Sequence, residues 1–232
     1  MAAFGGVAVG ERRPGWDRPG RSGLLGLIGA ALGLDRADEA AQHALANGYG
    51  IAVRTDARGR LLTDYHTVQV PPVRRGHRHA TRAEELADRP LETILTRREY
   101  RTDAFHLVAL WARDSAPTPL PTIAAALRHP AHTLSVGRKS CPLGLPLAPL
   151  LVEAADPVAA LQVRAEAASP PERSVRNWLG ARAGTVALDL DGLPSQATAR
   201  RIEQRRDQPV HRGRWQFALR DEAVLTAPEK QP

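Results

Sequence analysis

Tyr65 and His66 are adjacent, and Lys139 is one of two lysines in a chain with 30 arginines. A base, an acid and a cation suffice to cleave a phosphodiester without a metal. Brought together, these three could serve as a metal-independent endoribonuclease. Each is equally at home in a structural role, the aromatics in a core and the lysine in a solvated loop. His77-x-His79 has the residue types of a metal pair but no third ligand at a familiar spacing, so no metal is assigned. GxxxxGKS/T, HExxH, GxSxG and EF-hand patterns are missing. Gly23–Gly29 lacks the preceding strand and acidic partner of a dinucleotide fingerprint, and no cofactor is expected.

Cationic donors outnumber nucleophiles. Arg138, Lys139 and Ser140 form a compact cluster in the loop Gly137–Gly144, GRKSCPLG, where backbone N–H groups can assist. Arg97, Arg98 and Arg101 surround Tyr100. Arg21 and Ser22 open the stretch Gly20–Leu34, GRSGLLGLIGAALGL. That stretch reads as a helix that is apolar all the way round, hence buried on every side. Ser22 is its expected N-cap, and Gly33 suits the left-handed C′ position. Arg21 stands where free N–H groups and the helix dipole favour an anion. A core helix with an incidental arginine and a helix aimed at a phosphate both fit.

The elements that would position these residues follow in chain order. Asp35–Asn47 reads as a second helix ended by Gly48. Tyr49–Arg54 is a short strand, Ala57–Arg60 a turn and Leu61–Val70 another strand. From Pro71 to Leu95 the chain becomes basic and poor in apolar residues, which suggests a mobile basic insertion. Phe105–Trp111, FHLVALW, is nearly continuous in apolar character and reads as a central strand covered on both faces. Ile123–Arg128 and Pro157–Arg164 are helical, Thr133–Val136 is a short strand and Ser169–Arg173 a linker. Thr185–Leu190 and Trp215–Leu219 are further strands, and arginines crowd the segment Arg200–Arg214 between them. Irregular alternation of strands and helices favours an α+β class.

Length, charge and cysteine content set the bounds. A chain of 232 residues can bury a substantial core. No run approaches the ~18 apolar residues of a membrane span, and the opening MAAFGGVAVGERRPG, without a basic start or a long apolar stretch, does not read as a signal peptide. Cys141 is the sole cysteine, which excludes an internal disulfide and a cysteine-rich zinc site. The expected compartment is the cytoplasm. A formal charge of +7 and a pI near 10.6 point to a polyanionic partner. Arginine's planar fork suits phosphate and stacks on bases, although an Ala/Arg/Gly/Pro-rich composition also follows from GC-rich coding.

Four blocks are specific in combination: GRSGLLGLIGAALGL, DYHTVQ, TRREYRTDAFHLVALW and GRKSCPLGLPLAP, in that order from residue 20 to about 150, with a looser match at RRDQPVHRGRW. The chain thereby resembles the CasD family, the fifth Cas subunit of the type I-E CRISPR Cascade complex. The resemblance implies a single domain over 1–232, a modified ferredoxin-like (RRM-related, RAMP-type) fold. A basic β-hairpin thumb is inserted at about 66–100, and 151–232 is less well matched. It also implies a non-catalytic subunit that binds the 5′ handle of CRISPR RNA (crRNA) and caps that end of the complex. Its neighbours there are the large subunit CasA and the backbone subunit CasC, with target DNA reached only through the complex. On this reading Arg21, Ser22, Arg97, Arg98, Arg101, Arg138, Lys139 and Ser140 contact RNA, and Tyr65, His66 and Tyr100 are candidates for base stacking. The alternative is a metal-independent endoribonuclease that processes the repeat.

Members of that family open with an extended strand followed by a Pro-containing turn. Here Met1–Gly5 matches only the end of that turn, and the first strand is missing. In a ferredoxin-like sheet that strand is central, so its loss would leave neighbouring ladder groups unpaired. The sequence therefore predicts either a start placed too far downstream or an unstable product. Restoring upstream in-frame codons tests this through the melting temperature.

Overall fold

A computed structural model describes residues 1–226 except Val7, Val9, Arg74 and His77. Its centre is a six-stranded mixed sheet, in spatial order β1 (Arg12–Arg13), β3 (Glu92–Ala112), β2 (Tyr49–Val70), β4 (Thr185–Asp189), β6 (Gln216–Thr226) and β5 (Arg201–His211). β1 runs parallel to β3, and the other neighbours are antiparallel. The class is α+β, as expected.

Alternation along β2 sorts its side chains between two cores, because successive residues of a strand face opposite sides. Ile51 and Val53 pack with Leu25, Ile28, Leu45 and Ile123, supplied by α1 (Arg21–Leu32), α2 (Glu39–Gly48) and α4 (Leu120–Arg128). Ala52 faces the other way, onto Leu107, Val186, Leu188, Ala223 and Leu225, with Leu161 from α5 (Pro157–Glu166) as the cover.

Several local expectations change. Ala57–Arg60 is not a turn. β2 runs unbroken for 22 residues, and the irregularity shrinks to a register shift at Thr55/Ala57 against β3. Gly59 there adopts φ +68, and a Cβ on it would lie 2.1 Å from the Thr102 carbonyl oxygen. The turn residues thus make a bulge, since cross-strand hydrogen bonds continue on both sides of it. Phe105–Trp111 is a strand but not a central one. Among the described residues its only ladder is with β2, and Val108 is 41% exposed.

Helix limits also move. α2 begins at Glu39, where the Asp38 carboxylate accepts from the Ala41 N–H. Ser169–Arg173 is not a linker: Ser169 caps α6 (Pro170–Trp178) and its hydroxyl accepts from the Glu172 N–H. The S-P-P-E sequence carries that cap signal. Thr133–Val136 forms only an isolated bridge, Ser135 to Pro142. The basic insertion holds a short helix, α3 (Arg82–Ala87), capped by Thr81.

β2 and β3 pair from Tyr49–Ala112 out to Val70–Glu92, whereas β4 accompanies β2 only along Ala52–Arg54. Past that point the hairpin is a two-stranded arm, joined at Arg97 and Arg98 by β1 and at Arg101 by Ala2. The paired arm therefore starts nearer the core than residue 66. His77, half of the considered metal pair, lies outside the described residues.

Candidate nucleic-acid interface

A groove of about 1320 Å³ follows the outer side of α1. Leu25, Ile28 and Ala31 turn inward, while Gly23, Gly26, Leu27 and Ala30 form the groove floor. The helix is thus apolar all round without being buried all round, a correction to the sequence expectation. Apart from Leu27 its outer stripe is small. A Cβ on Gly23 would meet nothing within 4 Å, and one on Gly26 would lie 3.6 Å from both terminal guanidinium nitrogens of Arg212.

Arginines from distant parts of the chain wall this floor: Arg36, Arg138, Arg206 and Arg212, with Ser22 near the start of α1. Arg138 is set by its loop. Gly137 adopts φ +86 with space for no Cβ, which would fall 1.9 Å from the Ala3 carbonyl oxygen. The loop closes through Cys141 N–H donating to the Arg138 carbonyl at 2.9 Å, and Cys141 is buried. The Arg138 guanidinium stacks 4.6 Å from the Tyr100 ring centroid, and its Nη1 is buried with no acceptor among the described residues. Such an atom is costly unless a water or a ligand oxygen reaches it. Arg212 donates to the Ser22 carbonyl at 2.7 Å. Burial and the neighbouring charge of Arg36 both push the Arg212 guanidinium down from its ordinary range. Two cations held together in this way favour an anion between or beside them.

Arg21 does not join the groove. It is 2% exposed, and its guanidinium pairs with Asp189 and donates to the carbonyls of Ala46 and Tyr49, each at 2.6 Å. The start of α1 is occupied from within: the Arg21 N–H donates to Asp207 Oδ2 at 2.8 Å. The cap itself is Gly20, with no side-chain capping bond, and not Ser22, whereas Gly33 takes the left-handed conformation (φ +74) as expected. Arg21 is therefore a structural cation, because its guanidinium is buried on Asp189 and two backbone carbonyls inside the protein.

The remaining candidates lie along the arm and the exposed loop. Directly opposed residues of an antiparallel ladder project to the same side. Tyr65 opposes Arg97 and Leu61 opposes Arg101 on one face, whereas Asp64 opposes Arg98 and Leu62 opposes Tyr100 on the other. His66 shares the second face, its Nε2 2.5 Å from Asp64 Oδ2. Tyr65 and His66 consequently face opposite sides of the arm and do not converge as an acid–base pair. Tyr100 is buried beneath Arg138 beside Ala3 and Cys141, so it supports a cation and offers no open face to a base. Lys139 and Ser140 are exposed beyond Arg138.

Arg36, Arg206, Arg212 and Trp215 were not singled out by sequence. The crowding of arginines at 200–214 was visible, but which of them face a groove was not. Arg205 and Arg206 show the difficulty: Arg205 is buried against Glu222 and Asp207, while Arg206 lines the groove.

Fold and groove together define a mixed α+β protein with an arginine-walled channel suited to an extended polyanion. Two solved structures share its fold. One, titled "Crystal structure of Cas protein", aligns with TM-score 0.60 at 24% identity, covering 98% of this chain and 90% of that one. The other, "CRISPR RNA-guided surveillance complex", aligns with TM-score 0.57 at 21% identity, covering 97% and 86%. The family model "CRISPR-associated protein (Cas_Cas5)" matches residues 1–221. "CRISPR system Cascade subunit CasD" of Escherichia coli (strain K12) is 38% identical over 162 residues, 69% of this chain and 71% of that protein. The chain belongs to the CRISPR-associated Cas5 family, with CasD as a relative, in agreement with its four motif blocks.

Proposed function

We propose that this chain is a non-catalytic crRNA-binding subunit of a type I-E Cascade complex that holds and caps the 5′ handle. The observation that carries the reading is the groove over Gly23 and Gly26, walled by Arg138, Arg206 and Arg212 from three separate parts of the chain. A glycine floor lets a sugar–phosphate backbone come close to α1 while the arginines neutralise it. In this proposal the fold is a modified ferredoxin-like, RAMP-type domain, and the β2–β3 arm is the thumb. Arg97, Arg98 and Arg101 serve RNA or neighbouring subunits of the CasA and CasC type. The divergence of Tyr65 and His66 supports a binder over an endoribonuclease.

The test is co-expression of the tagged chain with its CRISPR locus, followed by pull-down and sequencing of the 5′ ends of bound RNA. Uniform ends inside the repeat, recovered with other Cascade subunits, are the expected result. RNA that is absent or has random ends overturns the proposal. Incubation of the purified protein with labelled repeat RNA in EDTA should shift the RNA intact, and cleavage there would establish the enzyme instead.

A further inference from the structure

Trp215 closes the four-residue turn 212–215 between β5 and β6 and lies at the rim of the groove. It is 61% exposed and adopts φ +54, a region that bulky side chains rarely enter. The Arg36 guanidinium lies 3.9 Å from its ring centroid, and the Phe217 ring is 6.3 Å away at 45°. The turn is anchored from several sides. Arg36 donates to the Arg212 carbonyl at 3.4 Å, and the Gly213 N–H donates to Glu39 Oε1 at 3.2 Å. His211 Nδ1 lies 2.8 Å from the same Glu39 oxygen. A large aromatic side chain is thus held in a strained backbone position, with a cation on one face and solvent over much of the rest. Folding gains little from that arrangement. Binding does, because an indole already held in place loses little freedom when a base lies on it.

We infer that Trp215 is a base-stacking platform of the groove. An unpaired base of single-stranded RNA lies against the indole face turned away from Arg36, while Arg206 and Arg212 take the adjoining phosphates. The inference rests on the RNA-binding reading and deepens it, since guanidinium–phosphate pairing needs no base, whereas Trp215 adds a stacking contact made by a nucleobase.

Trp215→Gly removes the ring at a φ that glycine adopts freely, and should therefore fold at least as well as the native chain. Binding is measured with fluorescein-labelled single-stranded RNA copied from the repeat of the protein's own CRISPR locus, and in parallel with heparin, a polyanion without bases. Trp215→Gly should weaken RNA binding about tenfold with the salt dependence unchanged, because stacking releases no counterion. Trp215→Phe should stay within about threefold of the native chain, and heparin binding should not change. RNA affinity equal to that of the native chain, or an equal loss on heparin, overturns the platform. Failure of the native chain to bind RNA would instead remove the RNA-binding reading beneath it.

Discussion

The backbone N–H of Arg21 donates to Asp207 Oδ2 at 2.8 Å, so the anion at the start of α1 is the protein's own carboxylate. The same carboxylate is gripped by Arg220, whose Nε lies 2.7 Å from Oδ1, and Arg205 stands 3.8 Å away. Asp189 links Arg21, Arg113 and Arg220, and Glu222 links Arg18, Arg205 and Arg220. This interior network fixes α1 against the sheet, and with it the glycine floor of the groove.

Removing Asp207 should unsettle that network. Asp207→Ala leaves Arg220 and Arg205 short of their counter-charge in a buried place and exposes a helix N-terminus to nothing. A loss of about 3–5 kcal/mol is expected from breaking one partner of a buried pair. Urea unfolding at neutral pH measures it. A midpoint equal to the native one would show that the network can re-pair without this carboxylate.

His106 makes stability depend on pH. Burial, with smaller contributions from Arg18 and Arg101, pushes its pKa from 6.5 down to about 4 against the opposing pull of Asp17. The unfolded chain takes up the proton first, so the contribution is complete above pH 6.5 and is lost as pH falls towards 4, about 3 kcal/mol in all. Urea midpoints recorded between pH 7.5 and 5 should fall, and His106→Phe, which keeps the ring beside Phe4, should flatten that decline. An equal decline in the variant would assign it to other groups.

Arg138 should behave as a phosphate contact. Arg138→Ala is expected to weaken single-stranded RNA binding and to make the slope of log K against log salt shallower by ~0.7, one contact. Titrations between 50 and 300 mM salt read the slope directly. An unchanged slope takes Arg138 out of the interface.

Two glycines should separate stability from binding. A Cβ on Gly23 meets nothing within 4 Å, so Gly23→Leu should leave the protein as stable as before or add up to about 1 kcal/mol from helix propensity, while RNA affinity drops because the floor rises. Gly137→Ala places a Cβ 1.9 Å from a backbone oxygen at φ +86 and should lower the melting temperature by several degrees. Calorimetry and RNA titration on both variants check the contrast. A Gly23→Leu protein that binds RNA normally would mean that the floor is not approached.

Some of this was legible from local pattern. α1, its left-handed end at Gly33, the helix at Pro157 and the strand at Thr185 follow from apolar spacing and capping residues. The continuous β2 did not, because ARGR has turn composition and only pairing with Thr102 and Ala104 keeps it extended. The edge position of Phe105–Trp111 was equally hidden: apolar character shows that a strand is partly covered, not how many strands flank it.

By itself the sequence determined the α+β class, a helix lined with small residues, an arginine excess suited to a polyanion and the four blocks that mark the family. Tertiary structure alone decided which arginines are interior and which line the open groove. Arg21 finds Asp189 168 positions away and Asp207 186 positions away, and Arg212 reaches Ser22 across 190. Neutralising a buried cation depends on carboxylates brought near by folding, and no local periodicity encodes those distances.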